Sequence, residues 1–195
     1  MPEFSGFVLA GGRSSRMGTD KAFLQFDGRS LLLRALGLLR TLTPEVRIVG
    51  PASKFAPYGS VVEDLYPGRG PLAGIHAALS ASATELNLIL AVDLPFVTGS
   101  LLRFILEQAQ ASNAVVTVPR IAGGYQPLCA VYRPAFASVA QDAIETGNNK
   151  IDALFALTTT RVLEENEFGR FAFSAAMFEN LNSPEDLRRA VAEKL

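Results

Sequence analysis

The sequence predicts an α/β fold in which helices cover both faces of a mostly parallel sheet. Through the first 118 residues, segments typical of strands alternate with segments typical of helices. The strand segments are continuously apolar, which is typical of parallel strands that are buried on both faces. With 195 residues the chain can bury a substantial core, and no repeat or linker divides it. We therefore expect one three-layer domain over residues 1–195.

The first strand and the loop after it carry the clearest functional signal. The apolar run at residues 7–9 predicts a short buried strand, and a loop of glycines, hydroxyls and cations extends from Leu9 to Lys21. Glycine lets a ligand approach backbone N–H groups without a Cβ in the way. With Arg13, Arg16 and Lys21 nearby, this loop is suited to binding a triphosphate. From residue types alone, an ordinary strand-to-helix turn is an equal alternative.

The spacing of this loop excludes two common phosphate-binding patterns. The Walker A pattern requires a Gly-Lys pair, but Gly18 is followed by Thr19. The dinucleotide pattern requires a residue between its first two glycines, but Gly11 and Gly12 are adjacent.

The next elements alternate in type along the chain. An Asp27-Gly28 turn precedes a helix with Ser30 as its N-cap. The patterns then predict, in order, a helix at 31–42, strands at 46–49 and 60–64, a helix at 72–83, a strand at 86–92, a helix beginning at Ser100 and reaching 111, and a strand at 114–118 closed by Pro119.

The second half is less regular. It predicts a strand at 128–132, a helix from Arg133-Pro134 to 145, a shorter helix at 151–157, a strand at 161–163 and a final helix. Ser183 and Pro184 are a typical start for that last helix. Together these elements indicate a Rossmann-like three-layer arrangement.

Three polar features follow predicted strands directly. These are the loop after Leu9, Asp64 at the end of the third strand, and Asp93 after the most apolar strand. Ligands of parallel α/β sheets bind at the carboxyl ends of the strands. We therefore expect the three features to meet at one edge of the sheet.

Composition limits the functional classes. A net charge of −1 gives no support to nucleic acid or an anionic membrane as the main partner, and no apolar run is long enough for a membrane helix. The N-terminal residues lack the features of a secretory signal, so we expect a cytoplasmic protein. The one cysteine, Cys129, is predicted to be a buried core residue. The one histidine, His76, is predicted to be a packed or solvated residue of a helix. This profile points away from a nucleophilic side chain.

The loop resembles the L-A-G-G-x-S-x-R-M-G-x-D-K signature of the molybdenum cofactor guanylyltransferases, which belong to the nucleotidyltransferase superfamily. Every fixed position of that signature matches between Leu9 and Lys21. The segments at 70–74, 92–96 and 181–187 are similar to further motifs of that family, in the same order. The resemblance implies a nucleotidyltransferase fold and the transfer of GMP from GTP to the terminal phosphate of molybdopterin, with release of pyrophosphate.

The resemblance also implies roles for particular residues. Contacts to the nucleotide fall on Leu9, Ala10, Gly11, Gly12, Lys21, Asp64 and Asp93. Lys21, Arg16 and Asp93 would carry the catalytic charges, and Asp93 and Asn182 would hold Mg²⁺. A phosphate monoester is already an ionised nucleophile near neutral pH, so this reaction needs no side-chain base.

Other functions remain open. A related transferase that uses CTP tends to have alanine at the position of Gly11, so the glycine favours the larger purine. Sugar-phosphate nucleotidyltransferases and a non-catalytic nucleotide-binding maturation factor are further alternatives. The implied partners are the small substrates, with molybdenum-insertion proteins and molybdoenzyme chaperones, and we expect a monomer.

Overall fold

The computed structural model describes residues 3–11, 20–168, 174–181 and 186, and a mixed sheet forms its centre. The strands are β1 (Phe4–Leu9), β2 (Gln25–Phe26), β3 (Arg29–Ser30), β4 (Val46–Val49), β5 (Val61–Val62), β6 (Leu86–Ala91), β7 (Val116–Ile121), β8 (Gly124–Tyr125), β9 (Cys129–Tyr132) and β10 (Thr160–Glu164). The helices are α1 (Leu31–Arg40), α2 (Ala52–Phe55), α3 (Pro71–Ser80), α4 (Gly99–Gln110), α5 (Phe136–Glu145), α6 (Ile151–Leu154) and α7 (Glu165–Phe168).

The strand order of the main sheet is β10-β7-β9-β6-β1-β4-β5, with β8 paired to β7. The β1–β4, β1–β6, β4–β5 and β7–β10 pairs are parallel. β9 runs antiparallel to both of its neighbours, and β8 is antiparallel to β7. The predicted α/β class with a mostly parallel sheet is confirmed.

Helices cover both faces of this sheet because successive residues of its central strands point to opposite sides. Val8 packs with Leu36 and Leu39 of α1 in the core on one face, together with α4. Phe7 and Leu9 pack with α3 and α5 in the core on the other face. β6 is buried along its whole length, as its apolar sequence predicts.

Local signals explain the start of α1. Asp27 and Gly28 both have positive φ, at 49° and 73°, which fits the tight turn of the β2–β3 hairpin. Ser30 then ends the hairpin and caps α1, because its Oγ accepts a hydrogen bond from the N–H of Leu33 at 3.3 Å.

Several predicted boundaries were wrong. α4 begins at Gly99 rather than Ser100, because Thr98 is the N-cap and accepts from the Leu101 N–H at 3.3 Å. β5 is shorter than predicted and ends two residues before Asp64. β7 does not end at Pro119 but continues to Ile121. Pro119 can stand inside β7 because β9 pairs with β7 only at Val116 and Thr117. The N–H that proline lacks is therefore not needed for that pairing.

Other predicted elements lie close to their observed bounds. The predicted strand at 161–163 extends over Thr160–Glu164, and the helix at 151–157 divides into α6 and a 3₁₀ turn at Phe155–Leu157. The predicted final helix falls almost entirely outside the described residues. Among the described helices, none has the length and apolar character needed to cross a bilayer.

Candidate active site

A cleft of about 200 Å³ opens at the carboxyl ends of β1, β4 and β6. The chain passes from β1 to β4 on one side and places β6 on the other, so the strand order reverses at β1. Such a reversal leaves a crevice between the loops that leave neighbouring strands in opposite directions. The cleft lining includes six of the residues predicted from the sequence: Leu9, Ala10, Gly11, Lys21, Asp64 and Asp93.

Glycines allow the walls of this cleft to approach one another. A Cβ at Gly11 would lie 3.3 Å from the Cα of Gly50, and one at Gly74 would lie 3.3 Å from Cδ2 of Leu9. Both contacts are tighter than a side-chain carbon normally makes, so these walls are formed largely by backbone. A flat ring can enter a slot of this kind and meet peptide groups directly.

The ring of Phe55 leaves no space for a side chain at Gly50. A Cβ at Gly50 would lie 2.7 Å from Cε2 of Phe55, whose ring is fully buried. Phe55 therefore fills the volume that a side chain at residue 50 would need. The cleft wall is consequently bare backbone at this position.

The cleft lining also carries a pair of opposite charges. Nζ of Lys21 lies 3.4 Å from Oδ2 of Asp93, and the two side chains are 25% and 21% exposed. Both are thus partly withdrawn from water but open to a ligand. This combination suits a triphosphate with its cation, since each charge can exchange its protein partner for a ligand group.

Backbone contacts fix the loop that carries Asp93. The carbonyl of Asp93 accepts a hydrogen bond from the N–H of Leu181 at 3.0 Å, and the N–H of Leu94 donates to the carbonyl of Ala91 at 3.4 Å.

A side chain of α1 also contacts this loop. Nη2 of Arg34 donates to the carbonyl of Pro95 at 3.3 Å, and its guanidinium stacks over the ring of Phe26 at 4.8 Å. α1 therefore braces the loop two residues beyond Asp93.

Asp64 has both a local role and a place in the cleft. Its Oδ1 accepts a hydrogen bond from the N–H of Tyr66 at 2.8 Å, which stabilises the turn after β5. It also lines the cleft beside Gly70 and Pro71, where α3 begins. Asp64 could stabilise the turn and contact a ligand at the same time, because its second carboxylate oxygen is not used in this turn.

The donors in the cleft fit Mg²⁺ better than a metal held entirely by protein. No cluster of three or more His, Cys, Asp or Glu residues that could hold a metal occurs among the described residues. Mg²⁺ typically keeps several waters and uses one or two carboxylates together with substrate phosphates. Asp93 in the lining of the cleft meets that requirement.

The histidine and the cysteine lie outside the cleft lining. His76 is 5% exposed within α3, and its ring packs edge-on against Tyr66. Cys129 is completely buried in β9, and burial raises its pKa from 9.0 to about 12. The thiol therefore stays protonated at neutral pH, and the core assignment made from its sequence context is confirmed.

Three predicted site residues, Gly12, Arg16 and Asn182, lie outside the described residues. Leu128 lines the cleft but was missed by the sequence analysis. Its carbonyl accepts a hydrogen bond from the N–H of Ala91 at 2.8 Å, which holds it beside the end of β6. No local signal could have found it, because its position depends on the antiparallel return of β9.

Comparisons with known proteins agree with this geometry. Residues 6–162 match the family model of the MobA-like NTP transferase domain. A relative from Pelotomaculum thermopropionicum, described as a "Probable molybdenum cofactor guanylyltransferase", is 34% identical over 97% of this chain and 93% of its own length. The "Molybdenum cofactor guanylyltransferase" of Desulfosudis oleivorans is 30% identical over 98% of this chain and 96% of the relative.

Solved structures support the same relationship. Molybdopterin-guanine dinucleotide biosynthesis protein A from Archaeoglobus fulgidus superposes with a TM-score of 0.85 at 26% identity, over 98% of this chain and all of that one. A 2-C-methyl-D-erythritol 4-phosphate cytidylyltransferase from Thermus thermophilus shares the fold, with a TM-score of 0.69 at 24% identity over 96% of this chain and 97% of that one. By family match, relatives and cleft together, the chain belongs to the MobA-like NTP transferase domain family.

Proposed function

We propose that this protein transfers GMP from GTP to the terminal phosphate of molybdopterin, giving a guanine dinucleotide cofactor and pyrophosphate. The Lys21–Asp93 pair in a glycine-walled cleft is the observation that carries this proposal. The names of the relatives from Pelotomaculum and Desulfosudis support guanylyl transfer to the molybdenum cofactor.

In the proposed reaction an oxygen of the acceptor phosphate attacks the α-phosphorus of GTP. The bond from that phosphorus to the bridging oxygen breaks, and its electron pair leaves with pyrophosphate. The acceptor is ionised near neutral pH, so no protein base has to remove a proton. This suits a chain in which His76 is buried and Cys129 holds its proton.

The protein then contributes positioning and charge, which supply most of the catalysis in reactions of this type. The ammonium of Lys21 would offset negative charge on the α-phosphate, and Arg16 would contact the phosphates from the preceding loop. Asp93, with Asn182, would hold Mg²⁺. Bound Mg²⁺ supplies positive charge that lowers the repulsion between two anionic substrates.

Base selection would come from the backbone walls around Gly11, Gly50 and Gly74, with Asp64 at the rim. A residue without a side chain at position 11 leaves room for a purine. This reasoning favours GTP over CTP as the donor.

The test is Mg²⁺-dependent release of pyrophosphate from GTP, CTP, ATP and UTP, each with and without molybdopterin. We expect release from GTP that requires the acceptor. A preference for CTP would move the protein to the related cytidylyl-transferring branch. Nucleotide binding without turnover for any of the four would favour a non-catalytic maturation factor.

A further inference from the structure

An ion pair links the end of the phosphate loop to a separate short helix. Nζ of Lys54 in α2 lies 2.9 Å from Oδ2 of Asp20, and the two side chains are 52% and 21% exposed. Lys54 lies outside the sequence motifs considered above, and it does not line the cleft. Its contact with the residue immediately before Lys21 calls for a functional explanation.

Asp20 determines how the segment with Lys21 begins. Its second carboxylate oxygen, Oδ1, accepts a hydrogen bond from the N–H of Ala22 at 3.1 Å, and its carbonyl accepts from the N–H of Phe23 at 3.0 Å. These bonds start the 3₁₀ turn Lys21–Phe23, in which Lys21 is the first residue. A change at the Asp20 carboxylate is therefore transmitted to Lys21.

α2 is itself firmly placed, so Lys54 projects from a fixed point. Phe55 is fully buried, and its ring centre lies 5.9 Å from that of Phe23. The N–H of Ala52 donates to Oε1 of Glu63 at 3.0 Å. Lys54 thus meets Asp20 across two segments that already pack together through Phe23 and Phe55.

The adjacent residues Asp20 and Lys21 each contact an opposite charge, Asp20 that of Lys54 and Lys21 that of Asp93. Lys54 is the cation that contacts the Asp20 carboxylate among residues 3–11 and 20–168. Without it, the residue adjacent to Lys21 in the chain would carry a carboxylate that has lost this neutralising partner. It would then compete with Asp93 and with incoming phosphates for the ammonium of Lys21, and it would repel a triphosphate.

We propose that Lys54 is a positioning residue that neutralises Asp20 and thereby leaves Lys21 directed to Asp93 and the phosphates of the nucleotide. This inference rests on the proposed nucleotidyl transfer. It assigns Lys54 no contact with substrate. Its effect passes through Asp20.

The test is a double-mutant cycle on Lys54→Met and Asp20→Asn. Lys54→Met should lower kcat/KM for GTP about five-fold, because half-exposed pairs contribute little more than that. Asp20→Asn keeps the oxygen that caps the turn but removes the charge. The double variant should therefore recover to within about two-fold of Asp20→Asn alone, a departure from additivity that reveals coupling.

Three further variants or conditions sharpen the test. Lys54→Arg should retain the activity of the parent protein. Raising the salt concentration should shrink the defect of Lys54→Met, because salt screens an exposed charge. Arg103→Met, which also removes one positive charge from an exposed helix position, should have no effect.

The outcomes separate this inference from the proposed function. The role of Lys54 is overturned if the parent protein is active and Lys54→Met keeps full activity. It is also overturned if the double variant is no more active than Lys54→Met. Both results leave the proposed reaction intact. A parent that transfers nothing would overturn the reaction. Calorimetry with GTP and Mg²⁺ would then still test Lys54, since its loss should weaken binding and Asp20→Asn should restore it.

Discussion

Nζ of Lys21 lies 3.4 Å from Oδ2 of Asp93, although 72 residues separate them in the chain. Lys21 comes from the segment after β1, and Asp93 lies two residues after the end of β6, so the parallel pairing of these strands brings the two charges together. Each side chain is partly exposed in the cleft. The distance is longer than that of a typical charge-assisted hydrogen bond.

Lys21→Ala and Asp93→Ala should each lower pyrophosphate release at least about 100-fold, because each removes a charge that acts in the transition state. Neither side chain is part of a buried core, so both variants should keep a cooperative thermal transition. Loss of that transition in either variant would mean that its residue is structural.

Gly11→Ala should lower kcat/KM for GTP about ten-fold and affect CTP less. The new methyl would lie 3.3 Å from the Cα of Gly50, so the backbone that forms this wall of the cleft would have to shift, and we expect the larger base to be affected more. Steady-state assays with both nucleotides measure the ratio. Gly37→Ala is the matched control, since a Cβ there meets nothing within 4 Å, and helical alanine should stabilise the fold without changing selectivity. An equal loss with both nucleotides would contradict a role in base selection.

Arg34→Met should raise the Mg²⁺ concentration needed for half-maximal activity by about three-fold or more. Methionine keeps apolar packing on Phe26 but cannot donate to the carbonyl of Pro95, so the loop of Asp93 loses a brace. A Mg²⁺ titration at saturating GTP measures the shift. A lower kcat with an unchanged Mg²⁺ requirement would refute the link to Asp93.

The thiol of Cys129 should make stability fall as pH rises above about 9. Its pKa is raised in the folded protein to about 12, so between these values the unfolded chain loses a proton that the folded chain keeps. Below pH 9 both states are protonated, and the contribution is fully present. Urea unfolding at pH 8 and pH 10 should show a larger drop for the parent than for Cys129→Ala. Equal drops would show that the thiol is not the source.

The sequence predicted the central strands well, because continuous apolar runs and turn signals are local. Leu9, Asp64 and Asp93 meet in one cleft as the strand-end rule requires. The direction of β9 could not be predicted, since a buried strand has the same pattern whether parallel or antiparallel. The sequence also could not predict where Leu128 and Lys54 lie, because the position of each depends on contacts between segments distant in the chain.

Gly50→Ala should destabilise the fold by about 1–3 kcal/mol, because its Cβ would lie 2.7 Å from the ring of the buried Phe55 and because the φ of 156° is one that residues with a side chain rarely adopt. Chemical denaturation measures the loss. Combining the change with Phe55→Leu should cost less than the two separate effects added together, since the smaller side chain frees the space. Strict additivity would show that the two residues do not share this volume.

The contact between Gly50 and Phe55 also constrains the order in which this cleft can diversify. A polar side chain at residue 50 would meet two obstacles, because the ring already occupies its place and the φ of 156° disfavours any side chain. A smaller residue at position 55 would remove the first obstacle alone, and it would lose packing in the core that Phe55 joins. We therefore expect substitutions at residues 50 and 55 to be coupled, with a change at one position altering which residues the other accepts.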